Sequence, residues 1–130
     1  MANTTLTRIL YVEDEPDIQA VARLALETVG GFTVAICGSG QEALDKAPVF
    51  RAELILLDVM MPGMDGPTTL GNLRRLPGLT DTPVIFMTAK VQPHEVEQYK
   101  ALGALDVIAK PFDPMQISDQ IRAIWARRRG

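Results

Sequence analysis

Leu54-Ile-Leu-Leu57 runs directly into Asp58 and then into Val59-Met-Met-Pro62-Gly63. Four consecutive apolar residues without polar alternation are what a strand covered on both faces requires. Four further runs share that character: Ile9-Leu-Tyr-Val12, Phe32-Thr-Val-Ala-Ile36, Val84-Ile-Phe-Met87 and Val107-Ile-Ala109. Between and after them the apolar spacing becomes helical. Pro16 to Val29 places Ile18, Val21, Ala22, Ala25 and Val29 on one face, with proline at the first turn and Gly30-Gly31 as the stop. Ser39 and Glu42 have capping-box spacing and open a helix that Pro48 closes. Pro67 starts a third, with Leu70 and Leu73 facing one way and Pro77 ending it. Pro93 starts a fourth, with Val96 and Tyr99, that Gly103 ends. Asp113-Pro114-Met115-Gln116 opens the last, which carries Ile117, Ile121, Ile124 and Trp125 inward. Strand and helix alternate strictly, and right-handed crossovers then put parallel strands between helices on both faces. The expected architecture is an open three-layer α/β/α sandwich of five strands and five helices.

The 130 residues make one domain, and at this size folding hides about two-thirds of the extended chain's surface, enough for a core without staples. An apolar content of 47% and a charged content of 22% exclude a disordered or collagen-like chain. Thirteen basic against sixteen acidic side chains leave a net charge of −3, which argues against non-specific nucleic-acid binding. The one cysteine, Cys37, cannot form an internal disulfide, and the one histidine, His94, cannot build a multi-histidine zinc site. No signal peptide or membrane-length apolar run is present, so a soluble, cytoplasmic chain is expected. Arg127-Arg128-Arg129 reads as cations at a helix C-terminus.

In an open parallel sheet, ligands bind beyond the carboxyl ends of the strands, where the strand order reverses. After the first strand come Glu13-Asp14-Glu15 and Asp17; after the third, Asp58; after the fourth, Thr88-Ala89-Lys90; after the fifth, Lys110-Pro111. One acid after a strand is ordinarily a turn or cap. Glu13, Asp14 and Asp58 together are different, because neighbouring carboxylates repel and a single lysine does not balance three of them. A hard divalent cation with oxygen ligands is the natural counter-charge, and magnesium leaves positions open for a phosphoryl oxygen. A metal, a lysine and a hydroxyl converging on a carboxylate suit phosphoryl transfer onto that carboxylate.

The strings Leu10-Tyr-Val-Glu13-Asp14-Glu15, Leu56-Leu-Asp58-Val-Met-Met-Pro62-Gly63-Met-Asp-Gly66, Met87-Thr88-Ala89 and Lys110-Pro111-Phe112 resemble the signature blocks of response-regulator receiver domains of two-component signalling. The resemblance runs from about Arg8 to the final arginines and implies a flavodoxin-like fold with strand order 2-1-3-4-5. It implies a flexible N-terminus over 1–7, a receiver domain over 8–127, a basic tail over 128–130 and no output domain in this chain. Asp58 is then the phospho-acceptor, served by a sensor histidine kinase or a histidine phosphotransfer protein. Asp14, Asp58 and the Met60 backbone carbonyl hold Mg²⁺, with Mn²⁺ as an alternative ion, and Glu13 acts through a coordinated water. Thr88 donates its hydroxyl to one phosphoryl oxygen, Lys110 pairs with another, and the Ala89 backbone N–H assists. The Lys110-Pro111 bond is expected to be cis, and Pro62-Gly63 and Gly66 to shape the loop behind Asp58. The output travels through contacts with a downstream protein or a second copy on the face of helix 4, strand 5 and helix 5, without direct contact with nucleic acid or membrane. On this reading the chain is no enzyme toward separate substrates and catalyses only its own phosphorylation and slow autodephosphorylation.

Three positions depart from the family pattern. Val107 stands where many receivers carry a switching aromatic, so any signal has to move through Thr88 and the backbone around helix 4 and strand 5. Met60 and Lys90, two residues after Asp58 and Thr88, occupy positions that govern water attack on the phosphoryl group, and an apolar Met60 predicts slow dephosphorylation. Glu13 replaces aspartate with charge and oxygen donors intact. A haloacid-dehalogenase-like phosphatase would need an aspartate where Met60 stands. A flavodoxin-like cofactor binder would need a phosphate-cradling loop where Glu13-Asp14-Glu15 would repel phosphate.

Overall fold

The computed structural model describes residues 5–128. The elements run β1 (Arg8–Val12), α1 (Pro16–Arg23), β2 (Thr33–Cys37), α2 (Gly40–Phe50), β3 (Leu54–Asp58), α3 (Gly66–Leu73), β4 (Val84–Thr88), α4 (Pro93–Ala101), β5 (Asp106–Ala109) and α5 (Ile117–Arg127). All pairings are parallel, in the order β2-β1-β3-β4-β5. The N-terminal segment expected over 1–7 and the basic tail over 128–130 lie partly outside the described residues. Leu6 is nonetheless buried, and the Thr7 backbone N–H donates to Glu53 Oε1 at 2.8 Å, so the folded unit begins before Arg8.

The apolar strands are continuous because each side of the sheet has its own cover. Ile9, Tyr11, Leu54, Leu56, Ile85 and Met87 face α1 and α5, packing on Ala22, Leu26, Ile117, Ile121 and Trp125. The alternate residues Leu10, Val12, Ile55, Leu57 and Phe86 face the other helices, packing on Ala43, Ala47, Leu70 and Leu73. The α4 helix contributes no buried residue, and its Tyr99 ring meets Phe86 edge-on at 5.3 Å between centroids.

Several boundaries differ from expectation: β2 lies one residue later than read and α3 ends at Leu73, before Pro77. The helix begun at Pro16 passes at Leu24–Val29 into a π-helical stretch, where the Gly30 N–H donates to the Ala25 carbonyl at 3.1 Å. Leu26, four residues after Ala22, keeps to the buried face, whereas the extra residue in the turn carries Val29 round to the exposed side. Val21, also expected inward, is 41% exposed and borders a shallow groove with Ile18, Pro111 and Phe112. The Ser118 hydroxyl of α5 donates to the same Ala25 carbonyl at 3.0 Å, which docks α5 on the π stretch. Pro48 lies inside α2 instead of closing it, and the helix ends at Arg51 in the left-handed conformation. Ser39 accepts from the Glu42 N–H as a cap should, but the Glu42 carboxylate turns to the Gly38 N–H. The Asp113 cap forms, with its side chain on the Met115 N–H, yet Pro114–Gln116 make a turn and α5 starts at Ile117.

The loop after Asp58 is fixed by two glycines for different reasons. Gly63 has a φ of 78°, which favours glycine, whereas Gly66 is required by proximity. A Cβ at Gly66 would stand 2.6 Å from the Asp58 carbonyl oxygen, and that oxygen is backbone that cannot yield. Gly66→Ala is therefore expected to lower stability by about 2 kcal/mol in urea unfolding. An unchanged midpoint would show that the loop has room to shift.

Candidate functional site

The β1 and β3 strands are neighbours in register, Tyr11 opposite Leu56 and Val12 opposite Leu57, so Glu13 comes level with Asp58 at the strand ends. The β1 ladder extends one residue further, the Glu13 N–H donating to the Cys37 carbonyl at 2.9 Å. The Gln19 side-chain amide donates to the Glu13 carbonyl at 2.6 Å, tying the start of α1 to this corner. Asp14 follows at the bend. Oxygens of Glu13, Asp14 and Asp58 all lie within 4.8 Å of one another. Glu15 and Asp17, also in the acidic run, are exposed and stand outside the cluster.

Lys110 closes the cluster from the far side. Its N–H donates to the Thr88 carbonyl at 2.9 Å, continuing the β4–β5 ladder, and the Lys110-Pro111 bond is cis. The ammonium sits 2.9 Å from Glu13 Oε1 and 3.3 Å from Asp58 Oδ1. The link to Glu13 was not legible in the spacing of residues 97 apart. Its signal in the sequence was the placement of one lysine and several acids at the ends of strands in one sheet.

On the other side of Asp58, Thr88 is buried, and its Oγ1 accepts the Lys90 N–H at 3.0 Å. That acceptor role leaves the hydroxyl proton free to be donated elsewhere. Met60, Thr88, Lys90 and Tyr99 line one open groove beside the acid cluster, with the Met60 side chain 71% exposed. Ala89 is exposed next to Thr88. Val107 lies opposite Phe86 on the face away from the carboxylates, half-buried beside Tyr99. The aromatic of this corner is thus on α4 instead of β5.

Burial pushes the Asp58 carboxyl above its ordinary range, against the opposing pull of Lys110 and of the Met60 backbone N–H. Burial also raises Glu13, again against Lys110. Burial alone would lower Lys110, but its bond to Glu13 and the charge of Asp58 more than offset that and hold it above its ordinary value. Three carboxylates against one ammonium leave local negative charge, with Glu13 and Asp58 buried and Asp14 half-buried. The donor set is all oxygen and convergent, as a hard divalent cation requires, and such an ion would reverse the upward push on both acids. Among the described residues no helix is long and apolar enough to cross a membrane.

Residues 9–122 match the response regulator receiver domain family. The chain is 40% identical over 120 residues to the transcriptional activator protein IrlR of Burkholderia pseudomallei, covering 92% of this chain and 51% of that protein. It is 35% identical over 120 residues to the alkaline phosphatase synthesis transcriptional regulatory protein PhoP of Bacillus subtilis, covering 92% and 49%. The chain thus spans about half the length of these curated relatives. Among solved structures, the chemotaxis protein CheY4 of Vibrio cholerae superposes with a TM-score of 0.84 at 28% identity, covering 92% of this chain and 99% of that one. The N-terminal domain of a response regulator receiver protein from Methanoculleus marisnigri gives 0.74 at 37%, covering 95% and 100%.

The raised carboxylates make a prediction with a definite sign. Their ordinary values are 3.8 for Asp58 and 4.5 for Glu13, and both are higher in the folded chain. Stability that is fully present below those values is lost as pH rises through the raised ones. Asp58→Asn removes its part of that loss. Without divalent ions the variant should be more stable than the parent at neutral pH, by about 1 kcal/mol, and the gap should close on acidification. Urea unfolding across this range checks it, and a variant less stable at neutral pH contradicts it.

Proposed function

The chain belongs to the response regulator receiver domain family, and on that premise we propose that Asp58 is the residue that accepts a phosphoryl group. The observation that carries the assignment is Asp58 Oδ1 at the end of β3, 3.3 Å from the Lys110 ammonium and inside the cluster with Glu13 and Asp14. A carboxylate oxygen of Asp58 attacks phosphorus, and the phosphorus–nitrogen bond of a phosphohistidine on a sensor kinase or phosphotransfer protein breaks. Lys110 turns its charge to one phosphoryl oxygen. The Thr88 hydroxyl, its lone pair already engaged by Lys90, donates to another, with the Ala89 N–H beside it. Asp14, Asp58 and the Met60 carbonyl are the proposed ligands of Mg²⁺, or Mn²⁺ in its place, with Glu13 acting through water. The ion supplies charge neutralisation for the incoming phosphoryl oxygens. Catalysis here amounts to positioning and counter-charge for the protein's own modification.

Output to a downstream protein or a second copy is assigned to the α4, β5 and α5 face. Support for this face is its contact with the acceptor side through Thr88, Phe86 and Tyr99. Its assigned compartment is the cytoplasm, and its relatives include transcriptional regulators. The described residues hold the receiver fold itself.

Incubation with a small-molecule phosphodonor and Mg²⁺ should give a single phosphoryl adduct by intact mass, lost in Asp58→Asn and on chelation of the metal. An adduct that persists in the variant refutes the assignment. The exposed, apolar Met60 cannot orient an attacking water, so dephosphorylation should be slow. Met60→Asn should shorten the phosphoryl lifetime severalfold in the same assay, and a lifetime equal or longer counts against this role.

A further inference from the structure

Tyr11 is fully buried in β1, and its hydroxyl oxygen has no hydrogen-bond partner among the described residues. Phenylalanine would fill the same space without a stranded polar group, so the hydroxyl calls for a use. The period of two along a strand puts Tyr11 on the same face as Glu13, and Leu56 and Ile108 of the same cluster precede Asp58 and Lys110 by two residues. The phenol therefore lies beneath the ionic corner, and the charges of both Glu13 and Asp58 reach it.

Glu13 is also fully buried. One of its oxygens accepts from the Glu15 N–H at 3.2 Å and the other from the Lys110 ammonium at 2.9 Å. If Lys110 pairs with a phosphoryl group on Asp58, as the function proposed above requires, Glu13 Oε1 loses its donor, and the metal-bound water proposed for Glu13 has Oε2, the oxygen that the Glu15 N–H also reaches, as its acceptor. A buried carboxylate left so is unfavourable. We infer that Tyr11 is a positioning residue for the acceptor site: its hydroxyl becomes the donor to Glu13 when Lys110 turns to the phosphoryl group. The hydroxyl is held in reserve in the resting protein and is used in the loaded one.

The test is Tyr11→Phe, compared with the parent in both states, with beryllium fluoride and Mg²⁺ as the probe for the loaded one. The variant should be at least as stable as the parent in urea when unloaded. It should bind the probe about fivefold to tenfold more weakly. Tyr11 and Tyr99 are the two tyrosines of the chain, so Tyr99→Phe assigns the Tyr11 ring carbon bearing the hydroxyl in carbon NMR. That resonance should shift on loading. Equal affinity in parent and variant overturns the inference, as does a loss of resting stability that accounts for the whole loss of affinity, or an unmoved resonance. Failure of the parent to bind the probe, or binding retained by Asp58→Asn, overturns the acceptor reading and this inference with it; equal binding by parent and Tyr11→Phe overturns the inference alone.

Discussion

The Lys110 ammonium stands between two carboxylates that the sheet brings level with each other, 2.9 Å from one and 3.3 Å from the other. Its placement depends on registers set far below it. Val12 opposite Leu57 makes Glu13 and Asp58 the next pair, and a slip of one residue would turn one of them to the opposite face of the sheet. Thr88 opposite Ala109 likewise makes Lys110 the next residue beyond β4. The buried rows of Ile, Leu and Val on both faces enforce those registers, because a slipped strand would exchange its two covers. The hydrophobic core thus holds the charges in place, and the charges alone could not: three acids and one base, taken out of water, repel more than they attract.

The same alternation divides the site into two halves. Tyr11, Glu13, Asp58 and Lys110 belong to the face covered by α1 and α5, whereas Phe86, Thr88 and Val107 continue the face covered by the remaining helices. Negative charge, that of Asp58 included, collects on one side of the rim and the Thr88 hydroxyl stands on the other.

The acid cluster was readable from Glu13-Asp14 and Asp58 because each stands at the end of an apolar run, whereas the strand order and the cis Lys110-Pro111 bond came only through the resemblance that those strings and Thr88 carry. What escaped reading was set by contacts between distant segments. The π-helical turn before Gly30 needs the Ser118 hydroxyl of α5 against the Ala25 carbonyl, and no window around Val29 contains Ser118. Pro48 reads as a stop, yet α2 runs through it to Phe50, forgoing the one helix bond that its missing N–H would have made. The Glu13–Lys110 pair is hidden in the same way, since its members stand 97 residues apart and spacing in sequence does not say that two strand-end residues meet in one contact. Tyr11 reads in sequence as one more residue of an apolar strand, because nothing in a local window tells whether a buried hydroxyl finds a partner.

The α4 helix, which buries no residue of its own, is the thinnest part of the cover. Its local unfolding free energy should fall at the low end of the molecule's range, while β1 and β3 sit near the global value. Exposed positions on a helix so loosely held are also free to drift, since most substitutions there leave the fold's stability nearly untouched. The surface beside the rim can then be rewritten at little cost to folding, because the strand registers that set the rim do not pass through α4.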